Sequence, residues 1–195
     1  GFHELPEAGG RRVTGDIIMA GFGGQGILMI GNLLALTAME EGKHVTYFPA
    51  YGVEMRGGTA NCTVVVSDDE IGSPVVGRPK GLLIMNGPSM EKFLPMLAPG
   101  GDLIINSSLV EERQVTRNDV RLLPVPADDI ARNKIGSRQM ASMVALGAYV
   151  ARSGIVELST VFDCLPKVIS KKYEKFIPMN ISALKEGAAL AGLHA

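Results

Sequence analysis

Gly21-Phe22-Gly23-Gly24-Gln25-Gly26 lies between an apolar run, Ile17-Ile18-Met19-Ala20, and a long helical pattern that begins near Gln25. Strand, glycine turn and helix form the context in which a G-x-G-x-x-G string carries meaning. On this reading Gly21 permits the tight turn, Gly23 lets a ligand or backbone come close, and Gly26 brings helix and strand together. A helix start also leaves N–H groups without partners, facing the turn with partial positive charge. An anionic group can sit there. Gly21, Gly23, Gly24, Gln25 and Gly26 are therefore candidate cofactor-binding residues. The competing reading is that the glycines serve only close packing of helix on sheet.

Outward from that turn, strand and helix patterns alternate. Asp16–Ala20 reads as the first strand and Gln25–Glu41 as a helix that is apolar nearly all round, as in a helix buried between sheet and neighbour. Gly42 is its expected C-cap. Val45–Phe48 is the second strand, ended by Pro49, and Thr59–Ser67 the third, with Val64-Val65-Val66 suggesting burial on both faces. Asp68-Asp69-Glu70 reads as an acidic turn, and Val75-Val76 as part of a returning edge segment. Gly81–Met85, Asp102–Asn106 and Arg121–Val125 follow as strands, with a helix opened by Pro88 between the first two. Ser108 to Glu111 has the spacing of a capping box. Helical patterns then cover Ala127–Ile135, Ser137–Ser153, Leu158–Ile169 and about Ile177–Ala191, punctuated by Gly136 and Gly154. The expected fold is a three-layer α/β/α domain with a mostly parallel sheet and a helical C-terminal third. It forms one domain over residues 16–195, behind a flexible tail of residues 1–15.

Bulk composition narrows the function classes. Of 195 residues, 46% are hydrophobic and 20% charged, as in a globular chain rather than a disordered one. A net charge of −1 without a run of Lys or Arg gives no footprint for nucleic acid or a membrane surface. The longest apolar stretch, Ile27–Met39, is too short to span a bilayer, and Gly1–Thr14 has no signal-peptide core. Cys62 and Cys164 lie far apart, each in an apolar run, and read as buried reduced thiols, which fits a cytoplasmic location. Two thiolates alone hold neither an iron–sulfur cluster nor a structural zinc, so no metal site is expected.

Nicotinamide sites place an acid about 20 residues beyond the glycines, at the end of the second strand. Here that region reads Thr46-Tyr47-Phe48-Pro49-Ala50-Tyr51, with no acid before Glu54. The loop Tyr51-Gly52-Val53-Glu54-Met55-Arg56-Gly57-Gly58 is the second candidate site. In an extended segment Glu54 and Arg56 point to the same side, and Arg56 offers a donor fork suited to carboxylate or phosphate. Gly57 and Gly58 let the backbone turn sharply. A surface loop with a solvated ion pair is the alternative. His3, His44 and His194 have no acid at recognisable spacing, and Ser107 and Ser108 lack a nucleophile-elbow sequence. No catalytic group is assigned to this chain.

The glycine string, followed by Tyr51-Gly52-Val53-Glu54-Met55-Arg56-Gly57-Gly58-Thr59-Ala60-Asn61-Cys62, resembles the gamma subunit of 2-oxoacid:ferredoxin oxidoreductases. The continuation through Val64-Val65-Val66-Ser67, Ile71-Gly72-Ser73-Pro74 and Met143-Val144-Ala145-Leu146-Gly147-Ala148 is similar to the same family, over roughly Asp16 to Val150. The Glu-Met-Arg-Gly-Gly-Thr-Ala-Asn-Cys form looks most like the 2-oxoglutarate and branched-chain types. Ser142 departs from the pattern, standing where many relatives have Asn. The resemblance implies a complex that oxidatively decarboxylates a 2-oxoacid with CoA, using thiamine diphosphate, Mg2+ and iron–sulfur clusters held by other chains. It implies alpha, beta and ferredoxin-like delta partners, with ferredoxin as electron acceptor. This chain would supply assembly and enclosure of the CoA and substrate side. Tyr51, Glu54, Arg56, Gly57 and Gly58 become candidate CoA, substrate or subunit-interface residues. A free-standing dinucleotide-binding oxidoreductase and a pure scaffold subunit are the alternatives.

Overall fold

The computed structural model describes residues 15–51, 58–72 and 76–193. Six strands form one sheet in the order β2-β3-β1-β4-β5-β6. They are β1 (Gly15–Phe22), β2 (His44–Tyr51), β3 (Thr59–Ser67), β4 (Gly81–Ile84), β5 (Asp102–Asn106) and β6 (Arg121–Val125). β1, β4, β5 and β6 pair in parallel, whereas β3 lies antiparallel between β1 and β2. Only β3 therefore runs against the other five strands.

The middle position of β3 follows from its residues. Cys62, Val64 and Val66 are fully buried on one face, and Val65 and Ser67 are buried on the other. At the start of the strand, Thr59, Ala60 and Asn61 are only half-buried, so burial on both faces holds for its second half alone. β2 is an edge strand and continues through Pro49 to Tyr51, two residues past the proline expected to end it. A proline is tolerated there because an edge strand has an unpaired side. Ile71, Gly72 and Val76 belong to no strand, and Ser73–Val75 lie outside the described residues. The expected returning edge segment is therefore absent at the described positions. Residues 1–14 also lie outside the described residues, and β1 begins at Gly15, inside the expected tail.

Helices cover both faces unequally. The larger core packs α1 (Ile27–Glu40), α4 (Ala141–Ser153), α5 (Leu158–Val168) and α6 (Ile177–Leu193) on Ile17, Met19, Val64 and Leu83. The smaller core packs α2 (Gly87–Phe93) on Ile18, Ala20, Leu82 and Ile105. α1 comes close because Gly31 has no side chain; a Cβ there would overlap Cys62 Sγ and lie 3.0 Å from Tyr47. Gly42 (φ 77°), Gly136 (φ 91°) and Gly154 (φ 63°) take the left-handed conformation that ends a helical segment. α2 is capped by Asn86, whose side chain accepts from the Ser89 amide at 2.9 Å. Ser108 does not form a capping box, which instead joins Glu111 and Gln114. The Ser108 hydroxyl accepts from the Asp129 amide at 3.2 Å, at the start of α3 (Ala127–Ile130).

Candidate functional site

Helix α1 leaves β1 on one face of the sheet and α2 leaves β4 on the other. The carboxyl ends of β1 and β4 are thus a topological switch point, where open α/β sheets bind ligands. The glycine turn lies there, with the roles of its residues redistributed. Gly21 does not make the turn; it is inside β1, and a Cβ on it would sit 2.6 Å from Gln25 Oε1 and 2.9 Å from Met85. The turn is made by Gly24 (φ 89°) and Gly26 (φ 78°). Gly26 faces α4 rather than a strand, since a Cβ there would lie 2.7 Å from the hydroxyl of buried Ser142. The departure at Ser142 therefore falls against the turn itself.

Two of the turn's amides are already committed. Gly23 N–H donates to the Gly58 carbonyl at 3.0 Å, and Gln25 N–H to the Phe22 carbonyl at 3.1 Å. The Gln25 side chain folds back to accept from Phe22 N–H at 2.6 Å, which makes it a brace of the turn. Among the described residues, the amides of Gly24 and Gly26 donate no hydrogen bond. These two are left without a partner at the helix start.

The second candidate stretch meets the first. Phe22 pairs with Thr59 and Tyr51 with Ala60, and the Gly23–Gly58 bond adds one more rung. The ends of the Tyr51–Gly58 loop are thereby fixed beside the glycine turn. Glu54, Arg56 and Gly57 lie outside the described residues.

A cavity of about 300 Å³ opens beside the turn, lined by Gly23, Gly24, Gln25, Met85, Asp128, Arg138, Gln139 and Ala141. Asp128 is buried in the first turn of α3 and meets Arg138 at 3.4 Å. Fully buried Asn106 sets that helix in place. Its Oδ1 accepts from Ala127 N–H at 3.1 Å and Ser108 N–H at 3.3 Å, and its Nδ2 donates to the Met85 carbonyl at 3.4 Å. Sequence reasoning missed Asp128, Arg138 and Asn106. The available signal was position, since Asn106 ends β5 and Asp128 opens the helix after β6.

Two chemistries fit poorly. In a dinucleotide site the acid-bearing second strand lies directly beside the first, but here β3 separates β2 from β1. No group of three or more His, Cys, Asp or Glu among the described residues could hold a metal ion. Cys62 and Cys164 are both fully buried, and burial pushes the Cys62 thiol up to about 12. These residues do not fit an iron–sulfur cluster.

Residues 16–190 match the family model described as pyruvate ferredoxin/flavodoxin oxidoreductase. The chain belongs to that family. Among family members it is 41% identical to the ketoisovalerate oxidoreductase subunit VorA of Methanothermobacter thermautotrophicus, over 89% of this chain and 35% of that protein. The chain thus spans about a third of that relative's length. With the 2-oxoglutarate synthase subunit KorC of Methanothermobacter marburgensis it shares 31% identity, over 90% of this chain and 95% of that protein.

Solved structures of family members agree. A keto/oxoacid ferredoxin oxidoreductase gamma subunit from Geobacter sulfurreducens superposes with a TM-score of 0.79 at 28% identity, covering 91% of this chain and 98% of that one. The 2-oxoglutarate:ferredoxin oxidoreductase of Magnetococcus marinus, solved with 2-oxoglutarate, coenzyme A and succinyl-CoA bound, gives 0.84 at 26% identity. That match covers 92% of this chain and 31% of the other. Within the pyruvate ferredoxin/flavodoxin oxidoreductase family, the chain therefore corresponds to the gamma unit. Among its described residues, no helix is long and apolar enough to cross a membrane.

Proposed function

We propose that this chain is the gamma subunit of a thiamine-diphosphate-dependent 2-oxoacid:ferredoxin oxidoreductase. Such a complex converts a 2-oxoacid and CoA to acyl-CoA, carbon dioxide and reduced ferredoxin. Thiamine diphosphate supplies the carbanion chemistry when bound to the alpha and beta partners, and a cysteine-bearing chain such as a ferredoxin-like delta subunit holds the iron–sulfur clusters. The gamma chain contributes assembly and enclosure of the CoA and substrate side. The observation that carries this reading is the Gly23–Gly58 hydrogen bond, which joins the glycine turn to the Tyr51–Gly58 loop at the carboxyl end of the sheet. Open amides at Gly24 and Gly26 and the guanidinium of Arg56 then serve phosphate or carboxylate groups.

In the assembled complex, Arg56→Ala raises the Michaelis constant for CoA or for the 2-oxoacid. Unchanged kinetics with weakened co-purification would assign the loop to subunit locking instead. The proposed substrate is 2-oxoglutarate, on the form of the loop and the full-length match to a 2-oxoglutarate synthase subunit. A branched-chain 2-oxoacid is the second reading, favoured by the 41% identity to a ketoisovalerate oxidoreductase subunit. Assay of the complex with both acids decides between them.

A further inference from the structure

At the amino ends of β1, β5 and β6, on the opposite side of the sheet from the glycine turn, two neighbouring hollows share Arg121 and Arg152. One, of about 190 Å³, reaches Gly15 at the start of β1 and Asp102 at the start of β5. The other, of about 510 Å³, is a trough beside the ends of α4 and α6, lined by the two arginines with Ala151, Ala188, Ala191 and Gly192. Both cations keep donors to spare. Arg121 Nε comes within 3.3 Å of Asp102 Oδ1, yet that oxygen accepts no hydrogen bond, and the Arg121 side chain is 56% exposed. Arg152 makes no ion pair with another described residue, and its buried Nε has no hydrogen-bond partner. Two guanidinium groups beside a run of small apolar residues suit a polypeptide that brings carboxylates and an apolar side chain together.

Both ends of the described fold meet at this surface. Gly15 opens β1 in the smaller hollow, and Gly192 lies one residue before the end of α6 in the trough. Two relatives are much longer than the part that this chain matches, which is 35% of one and 31% of the other. Their further polypeptide leaves the shared fold at one of these two ends, and either exit passes Arg121 and Arg152. We infer that this surface seats an acidic segment of the sister chain that longer relatives carry joined to this fold, with its carboxylates on Arg121 and Arg152 and an apolar side chain in the trough. The inference rests on the gamma-subunit reading and names a contact that reading leaves open. A segment that is joined in one protein and separate in another keeps the same seat, because linkage raises its effective concentration there without changing the contacts.

The test is the affinity of the full chain for the thiamine-binding chains of a related 2-oxoacid:ferredoxin oxidoreductase, measured calorimetrically at low and at high salt. Arg121→Glu combined with Arg152→Glu weakens binding by roughly tenfold at low salt. The loss is smaller at high salt, where surface charges are screened. Ala151→Trp, at an exposed position, fills the trough and weakens binding by roughly tenfold at both salt levels. It alters neither charge, so it carries the test if the double reversal does not fold, which thermal melting shows. Arg113→Glu, at a side chain 82% exposed elsewhere on the surface, binds as the wild type does. Equal weakening by Arg113→Glu would mark a general effect of net charge and overturn the inference. Wild-type affinity in either the folded double reversal or Ala151→Trp overturns it as well and leaves the gamma-subunit reading standing. If the reversal instead abolishes self-association of the chain alone, a second copy occupies the surface and the inference falls. If the wild type does not bind the thiamine-binding chains, both fall.

Discussion

Gly147 and Gly187 meet where α4 crosses α6, each against the backbone of the other helix. A Cβ on Gly187 would fall on the Val144 carbonyl, and one on Gly147 on the Leu184 carbonyl. The two helices therefore pack backbone to backbone, with no flexible side chain between them to give way. This crossing holds the start of α4, and with it Ser142 and the Arg138–Met140 turn, against the glycine turn of β1.

Gly187→Ala forces these backbones apart. Overpacking of this kind costs about 3 kcal/mol. For a chain of this size that lowers Tm by roughly 6–12 °C. Scanning calorimetry of the variant checks it, with Gly192→Ala as control, because nothing lies within 4 Å of a Cβ at Gly192.

Gly26→Ala meets two separate obstacles: φ of 78° and the Ser142 hydroxyl at 2.7 Å. The left-handed conformation alone costs a residue with a Cβ about 1 kcal/mol. The variant loses about 2 kcal/mol in the native background and about 1 kcal/mol beside Ser142→Gly, which removes the steric part. A double-mutant cycle by urea denaturation reads the difference.

Asn106→Ala leaves the buried amide of Ala127 without its acceptor. An orphaned buried donor costs about 2 kcal/mol. Because Asn106 also accepts from Ser108 N–H and donates to the Met85 carbonyl, the loss spreads to the ends of β4 and β5. Urea denaturation of the variant beside the wild type reads the loss.

The Cys62 thiol, packed under α1 with its Sγ 3.7 Å from the Ile27 carbonyl, is pushed by burial from 9.0 up to about 12. A raised folded value means that the native chain holds a proton the unfolded chain gives up. Its contribution to stability is complete below pH 9 and declines by about 1.4 kcal/mol per pH unit from there to pH 12. Burial also raises the Tyr149 phenol, which acts in the same sense above its ordinary range. Urea denaturation across pH 8–11 gives falling stability, and Cys62→Ala gives a shallower slope that is still not flat. At pH 8 iodoacetamide leaves Cys62 unmodified in the folded chain.

The strand–glycine–helix unit was legible because its signals are local: an apolar run, a hexapeptide and a helical period within thirty residues. Strand positions and all four C-terminal helical stretches were legible for the same reason. The place of β3 was not, because pairing between strands leaves no mark on their order in the sequence. Pro49 misled at β2 because only the sheet order makes it an edge strand. Individual glycine roles were misassigned because Met85 and Ser142, which crowd Gly21 and Gly26, are far away in sequence. Asp128, Arg138 and Asn106 converge only in three dimensions, through a brace between the ends of β4 and β5 and the start of α3.

The most direct test of the subunit assignment is reconstitution. The chain is co-expressed with thiamine-binding and ferredoxin-like chains of a related 2-oxoacid:ferredoxin oxidoreductase, and CoA-dependent reduction of ferredoxin is followed with 2-oxoglutarate and with a branched-chain 2-oxoacid. The account predicts that this chain co-purifies with its partners and that reduction requires it. Partners that reach full CoA-dependent activity without it, while the chain alone binds a nicotinamide dinucleotide, would contradict the account.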